Sequence, residues 1–185
     1  MYRNTPNNKR RKLSFGSPQM KDEDSDNEDD SSTIRVVDNR IYFYSEVNRK
    51  NVLELNIALQ KVSDKTKKNE FGDTPKIYLY IQSDGGDVYA GLSAMDHIRK
   101  SDIPVVTIVD GFVASAATLI SIAGSERYMY PQSQLLIHQI QTSMWGRYEE
   151  LVDEMENTKN LQKRMREIYG KFTSIPSNIM NKLMT

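Results

Sequence analysis

The sequence has 185 residues, the size of one ordinary domain with a single hydrophobic core. Its 25 basic and 25 acidic residues cancel, so no strong global field favours nucleic acid as a partner. The lack of cysteine excludes disulfides and thiolate metal sites, and two histidines make a zinc site hard to assemble. No apolar run approaches the ~18–20 residues that cross a bilayer, and the N-terminus lacks the apolar core of a secretory signal. We therefore expect a cytoplasmic protein without membrane contact.

The first 35 residues differ in composition from the rest of the chain. A basic cluster, KRRK, occupies residues 9–12, and seven acidic side chains follow between residues 20 and 32. Such a segment buries too little apolar surface to offset its conformational entropy, so we predict a disordered tail at 1–35 and one folded domain at 36–185. The basic tract could serve as a nuclear-localisation or docking signal. The commoner alternative is a solvated tail that no partner recognises.

Strands and helices alternate through the rest of the chain. Aromatic or continuous apolar runs predict strands at residues 40–47, 76–82, 104–109 and 135–138. The second of these has little polarity on either face, which is typical of a covered sheet. Apolar residues at helical spacing predict helices at residues 51–62, 87–101, 113–123 and 146–169. This alternation indicates an α/β fold with a mainly parallel sheet and right-handed crossovers.

A glycine-rich turn follows the second predicted strand and opens the next helix. It reads SDGGDVYAG at residues 83–91 and places Gly85 next to Gly86. Adjacent glycines let backbone N–H groups face outward, so such a turn can bind an anion or an oxyanion. It matches neither G-x-G-x-x-G nor the P-loop pattern, which disfavours a nucleotide site. Taken alone, a turn of this kind is more often only a tight strand-to-helix connection.

Ser115 lies in GFVASAA at residues 111–117, again between a predicted strand and a predicted helix. A serine there is held on a rigid turn, and the N–H of Ala116 lies at the positive end of the helix dipole. That placement suits a nucleophile whose attack creates an oxyanion. The alternative is a helix N-cap or a small packing residue, which is the commoner role of such serines. The stretch is not G-x-S-x-G and does not indicate an α/β-hydrolase.

His138 ends the apolar stretch LLIHQ. A lone histidine in such a place is more often a hydrogen-bonded structural residue than a catalyst. The other histidine, His97, lies in a predicted helix with no serine or glycine motif beside it. If the protein uses a serine–histidine pair, His138 is therefore the candidate general base.

The order and spacing of these stretches resemble the proteolytic subunit of ATP-dependent Clp proteases. The resemblance runs from about residue 41 to 185 and rests on IYLYIQSDGGDVYAG and GFVASAATLISIAGSERYMYPQSQLLIHQ, followed by a long helix. It implies a crotonase-like α/β fold, a βα superhelix with residues 146–171 as a protruding handle helix. It also implies that seven-membered rings stack in pairs through these handles and enclose a proteolytic chamber. The resemblance assigns Ser115 as nucleophile, His138 as general base, and the backbone N–H groups of Gly86 and Ala116 as the oxyanion hole.

The sequence departs from the family's motifs at three positions. Asp84 replaces the proline of Ser-Pro-Gly-Gly, Ala116 replaces the methionine that usually follows the serine, and Ile140 replaces the proline of His-Gln-Pro. Both implied oxyanion donors are backbone groups, so these side-chain changes leave them intact. The loss of proline at Asp84 loosens one turn and adds a charge near the substrate strand.

The end of the chain is a further departure. In an ungapped alignment the family's triad aspartate falls just beyond Thr185. Glu150 and Asp153 are closer in sequence, but they belong to the predicted handle helix and are poor substitutes. We therefore expect either a fragment or a chain with an incomplete triad, and impaired peptidase activity from these residues.

The resemblance implies a serine-type endopeptidase that cleaves unfolded polypeptides inside an oligomeric chamber. The implied partners are further copies of the chain, a separate AAA+ unfoldase ring that uses the ATP, and polypeptide substrates. The subunit itself needs no metal or organic cofactor. One alternative is a catalytically silent ring subunit, which the missing aspartate favours. The other is a crotonase-type acyl-CoA enzyme, which is disfavoured because such enzymes rarely need a serine–histidine pair.

Overall fold

The computed structural model describes residues 34–67 and 75–184. The predicted disorder of the N-terminal tail lies outside these residues, apart from its last two positions. The first strand begins at Ile34, two residues before the predicted start of the folded domain. Among the helices of the described ranges, none is long and apolar enough to cross a membrane.

Strands in the described ranges form one six-stranded sheet: β1 (Ile34–Val37), β2 (Arg40–Tyr44), β3 (Ile77–Ser83), β4 (Val105–Ala114), β5 (Glu126–Met129) and β6 (Gln134–Leu136). The strand order is β1-β2-β3-β4-β5, and β6 pairs with the last residues of β4. β1 runs antiparallel to β2, whereas all the other pairs are parallel. The prediction of a mainly parallel α/β sheet is confirmed. Neither β1 nor β5 was predicted from the sequence.

The helices are α1 (Arg49–Lys67), α2 (Val88–Lys100), α3 (Ala117–Ile122), α4 (Tyr148–Phe172) and α5 (Ser177–Leu183). Helix α2 agrees with the predicted span, and the Asp87 side chain caps it by accepting from the N–H groups of Tyr89 and Ala90. Helix α4 is the predicted handle; it begins at Tyr148 rather than at residue 146. Trp145, just before α4, is fully exposed. Helix α5 was not predicted.

The core lies between α1, α2 and α3 and one face of the sheet. Alternate residues of β2 and β3 point into it and are fully buried: Ile41, Phe43, Ile77, Leu79 and Ile81. Burying an apolar side chain of this size contributes about 1.5–3 kcal/mol, so this alternation fixes the register of the sheet. Tyr78 and Tyr80 lie on the opposite face and are only half-buried. The expectation of a sheet covered on both faces is therefore wrong for β3, whereas residues 105–109 of β4 are buried on both faces.

Strand β4 continues five residues past its predicted end at residue 109. Its last residues pair with β6, with Val113 opposite Leu135 and Ala114 opposite Leu136. The helix predicted at 113–123 therefore starts only at Ala117. β6 ends at Leu136, so the strand predicted at 135–138 does not include His138. Because β3 and β4 are parallel, the turns that follow them meet at one edge of the sheet, where ligands of such folds bind.

Candidate active site

Ser115 lies in the turn that joins β4 to α3. Its backbone has φ +53°, in the left-handed region that residues other than glycine seldom occupy. The turn is held by β6, since the Ser115 N–H donates to the carbonyl of Leu136 at 2.9 Å. A left-handed residue costs roughly 1–2 kcal/mol, and such costs concentrate at functional sites. The N-cap of α3 is Ala116, so the serine is not the cap residue that its sequence context also allowed.

The glycine turn after β3 packs directly on the Ser115 turn. Gly85 has φ +99°, and an added Cβ there would lie 2.6 Å from the Cβ of Ser115 and 2.7 Å from the carbonyl oxygen of Ala114. Gly86 has φ +141°, and an added Cβ there would lie 2.3 Å from the carbonyl oxygen of Val47. Both positions therefore require glycine for close approach as well as for backbone conformation.

Two backbone donors beside Ser115 have no acceptor among the described residues. In the described ranges, neither the Gly86 N–H nor the Ala116 N–H makes a hydrogen bond. Their neighbours are paired: the Val47 N–H donates to the Gly85 carbonyl at 2.8 Å, and the Asp87 N–H donates to the Val47 carbonyl at 2.7 Å. Unpaired backbone N–H groups are rare in folded proteins unless a ligand satisfies them. Two of them flanking a hydroxyl is the arrangement that stabilises an oxyanion.

His138 lines the same cavity as Ser115, a space of about 270 Å³ that Gly86 and Ala116 also line. The segment around it is anchored, since Ile137 is buried and the Ile140 N–H donates to Gln162 at 3.0 Å. No residue between 34 and 67 or between 75 and 184 forms a hydrogen bond or ion pair with the imidazole. The structure thus places the candidate base and nucleophile on one cavity without joining them by a hydrogen bond.

The remaining titratable candidates lie in different places. Asp84 lines the cavity with an exposed carboxylate. Glu150 caps the start of α4, where its carboxylate accepts from the Arg147 N–H at 2.9 Å, and neither it nor Asp153 lines the cavity. His97 is outside the cavity as well, with Nδ1 2.9 Å from the Ser93 carbonyl oxygen. Over the described part of the chain, no three His, Cys, Asp or Glu side chains gather closely enough to hold a metal ion.

The hydroxyls of two buried side chains, Thr118 and Tyr169, support the Ser115 turn. The Ser115 carbonyl accepts from the Thr118 N–H at 3.0 Å and from the Thr118 hydroxyl at 2.6 Å. That hydroxyl is also 2.6 Å from the Tyr169 hydroxyl of α4. Burial raises the pKa of Tyr169. Sequence reasoning missed both residues, because their pairing joins positions 51 residues apart that belong to no motif.

Comparison with solved structures agrees with this architecture. A ClpP1 variant from Listeria monocytogenes superimposes with a TM-score of 0.68, at 21% sequence identity and over 80% of each chain. At that identity the likeness concerns the fold, which is the crotonase-like α/β fold. Its features here are the parallel sheet, the two turns at the strand ends and the long helix α4.

Sequence comparison identifies the family. The profile of the Clp protease family matches residues 25–185. The proteolytic subunit of the ATP-dependent Clp protease from Chlorokybus atmophyticus is 31% identical over 147 residues, which cover 78% of this chain and 65% of that protein. The corresponding subunit from Ostreococcus tauri is 40% identical over 111 residues, 58% of this chain and 55% of that protein. The chain belongs to the Clp protease family. It spans between about half and two thirds of the length of these curated relatives.

Proposed function

We propose that the protein is a serine peptidase with Ser115 as nucleophile and His138 as general base. The observation that carries this proposal is the left-handed turn of Ser115 beside the unpaired N–H groups of Gly86 and Ala116. Two separate segments, one after β3 and one after β4, bring these donors to one hydroxyl. His138 lines the same cavity, and the family's named relatives are proteolytic subunits.

The proposed reaction is acyl transfer. The imidazole of His138 takes the hydroxyl proton while the Ser115 oxygen attacks the peptide carbonyl. The negative charge that develops on the carbonyl oxygen is held by the Gly86 and Ala116 N–H groups. His138 then gives its proton to the departing amine, and water later hydrolyses the acyl-enzyme by the same route in reverse. One oxyanion-hole donor is typically worth about 10²–10³ in rate, so these two groups account for a large share of the catalysis.

The unpaired imidazole of His138 has a consequence for the rate. In serine peptidases a carboxylate holds the histidine in the correct tautomer, and replacing it lowers turnover by about 10⁴. Within the described residues no carboxylate contacts His138. We therefore propose that the described residues alone hydrolyse peptides slowly, because the imidazole serves both the acylation and the deacylation step, while Ser115 still reacts with an electrophilic probe.

Covalent labelling tests the nucleophile. A fluorophosphonate probe reacts with activated serines, and we expect peptide mapping of the labelled protein to locate the adduct on Ser115. Ser115→Ala removes the hydroxyl and abolishes the adduct, whereas Ser93→Ala, at an exposed serine of α2, retains it. Undiminished labelling of the Ser115→Ala protein would contradict the proposal.

Family membership supports a wider proposal about assembly. We infer that copies of the chain associate through α4, whose first half exposes Tyr148, Val152 and Met155. The assembly would enclose the active sites, take unfolded polypeptides as substrates and receive them from a cytoplasmic AAA+ unfoldase ring. Oligomers of this kind bury apolar stripes that single domains leave exposed.

A catalytically silent subunit of such an assembly is the second candidate function. Two features favour it: the imidazole of His138 has no partner in the part of the chain that the structure describes, and the carboxylate of Asp84 lies beside the glycine turn. Fluorophosphonate labelling distinguishes the two candidate functions, because a silent subunit assembles but does not react with the probe. An acyl-CoA enzyme is not favoured, because the matched relatives are proteolytic subunits.

A further inference from the structure

Helix α4 contacts the nucleophile's turn through a chain of two hydroxyls. The carbonyl of Ser115 accepts a hydrogen bond from the Thr118 hydroxyl, which contacts the Tyr169 hydroxyl at the same distance of 2.6 Å. Tyr169 is 2% exposed and Thr118 is fully buried. Water therefore does not compete for either contact, and a hydrogen bond in such surroundings is stronger than one at the surface.

The donor and the acceptor of each of these two hydrogen bonds follow from the protons available. A carbonyl oxygen only accepts, so the single proton of the Thr118 hydroxyl is committed to Ser115. The Tyr169 hydroxyl must then donate to Thr118, and the chain runs Tyr169 to Thr118 to Ser115. Each donor in such a chain polarises the next, so the loss of the first link weakens the second.

The same helix contacts the segment that carries the candidate base. The side-chain oxygen of Gln162 accepts from the Ile140 N–H at 3.0 Å, two residues after His138. The side-chain nitrogen of Gln162 donates to the Met184 carbonyl at 2.6 Å, which fixes the orientation of the amide. Arg166, one turn further along α4, donates to the same carbonyl at 2.8 Å. Gln162 is thereby held as an acceptor facing the His138 segment.

These two contacts lie on one face of α4. Gln162 and Tyr169 are seven residues apart, which is about two helical turns, so their side chains project in the same direction. Met165 lies between them, is buried and lines the cavity. One helix is therefore hydrogen-bonded to the segment of His138 and, through Thr118, to the turn of Ser115.

We propose that Tyr169 and Gln162 are positioning residues which set the separation of Ser115 and His138 from a common helix. This inference rests on the proposed function, because it concerns the geometry of that reaction. Tyr169 also lines the cavity, but its hydroxyl contacts Thr118, and Gln162 does not line the cavity, so neither side chain is hydrogen-bonded to the Ser115 hydroxyl or the His138 imidazole. Tyr169 acts on the nucleophile through Thr118, and Gln162 acts on the base through the backbone at Ile140.

The first test compares variants of the hydroxyl chain. Tyr169→Phe removes one oxygen and keeps the ring, and we expect the maximal rate of fluorophosphonate labelling to fall about threefold to tenfold, as for the loss of one hydrogen bond. Thr118→Val lowers the rate at least as much, whereas Thr118→Ser keeps the hydroxyl and restores most of it. The double variant Tyr169→Phe with Thr118→Val matches Thr118→Val alone, because the two residues act in series.

The second test separates the two atoms of the Gln162 amide. Gln162→Met removes the acceptor for Ile140 and lowers the maximal labelling rate, while Gln162→Glu keeps an acceptor oxygen and retains more of it. In all of these variants the probe concentration at half-maximal rate and the pH midpoint of labelling stay unchanged, because position and not binding or protonation is altered. Matched controls at exposed sites, Tyr89→Phe and Gln132→Met, leave the rate as in the wild type.

The outcomes distinguish this inference from the proposed function. If the wild type reacts and Tyr169→Phe and Gln162→Met react equally fast, the positioning role is wrong and the nucleophile assignment stands. If the wild type does not react, the proposed function fails, and amide hydrogen exchange decides the positioning role. We then expect faster exchange at Ser115 in Tyr169→Phe and at Ile140 in Gln162→Met; unchanged exchange at both amides would overturn it.

Discussion

The left-handed conformation of Ser115 is imposed by neighbours on three sides. Leu136 holds its N–H, Thr118 holds its carbonyl, and Gly85 packs against its Cβ. Sequence patterns predicted the residue types of the site, because glycine pairs and a serine between strand and helix are local signals. They did not predict the φ of +53° or the role of Thr118, because both depend on contacts between segments distant in sequence.

The glycine turn yields a prediction about stability. Gly86→Ala places a Cβ 2.3 Å from the Val47 carbonyl oxygen at φ +141°, so we expect the free energy of unfolding to fall by about 1–3 kcal/mol. Gly170→Ala is the matched control, since apart from its chain neighbours and the nearby backbone of α4 no atom lies within 4 Å of its added Cβ. Replacing glycine by alanine in a helix interior raises the free energy of unfolding by about 0.5–1 kcal/mol. Urea denaturation measures both, and equal effects of the two substitutions would contradict the packing described for Gly86.

Tyr169 yields a prediction about pH. Burial raises its pKa in the folded state above the ordinary value of 10.0, so the folded protein keeps the phenol proton that the unfolded chain loses. The contribution to stability is fully present below pH 10.0 and is lost as pH rises from there through the folded-state pKa. We expect the unfolding free energy to decline above that pH, and to decline less steeply in Tyr169→Phe. Parallel declines in the two proteins would show that the phenol does not carry this effect.

At the scale of whole elements, the sequence was most informative where an element is long and strongly patterned. Helix α2 was predicted to within one residue at each end, and the long helix α4 was predicted to within a few residues. Strand β6 has three residues, all exposed, so no periodicity could delimit it. Its pairing extended β4 and moved the start of α3, which is why the predicted helix at 113–123 was too long.

The exposed half of α4 yields a prediction about assembly. Val152 and Met155 are 44% and 52% exposed, and we expect two aspartates in their place to keep the chain from associating. Multi-angle light scattering should report a lower mass for the Val152→Asp, Met155→Asp protein than for the wild type. Glu154→Gln, at an exposed polar position between them, should leave the mass unchanged. A wild-type chain that is already monomeric would show that α4 does not join copies.

At the scale of the whole molecule, the sheet divides the surface into two unlike sides. One face is covered by helices, and the other presents tyrosines along β2 and β3. Tyr42 and Tyr80 stack with ring centroids 4.8 Å apart, and Tyr44 hydrogen-bonds to Asp110. Alternating aromatic residues predicted the strands but not which face would stay open, because an aromatic ring suits a core and a half-exposed surface equally well.

The position of Trp145 makes its intrinsic fluorescence a probe of the region around the start of α4. It is the single tryptophan in the sequence, it is fully exposed, and it lies three residues before the start of α4. An indole in water emits at longer wavelength than one in an apolar contact. Any event that covers the beginning of α4 therefore shifts the emission of this one residue to the blue, while events at the far side of the sheet leave it unaltered. Fluorescence thus reports contact at this helix without any added label.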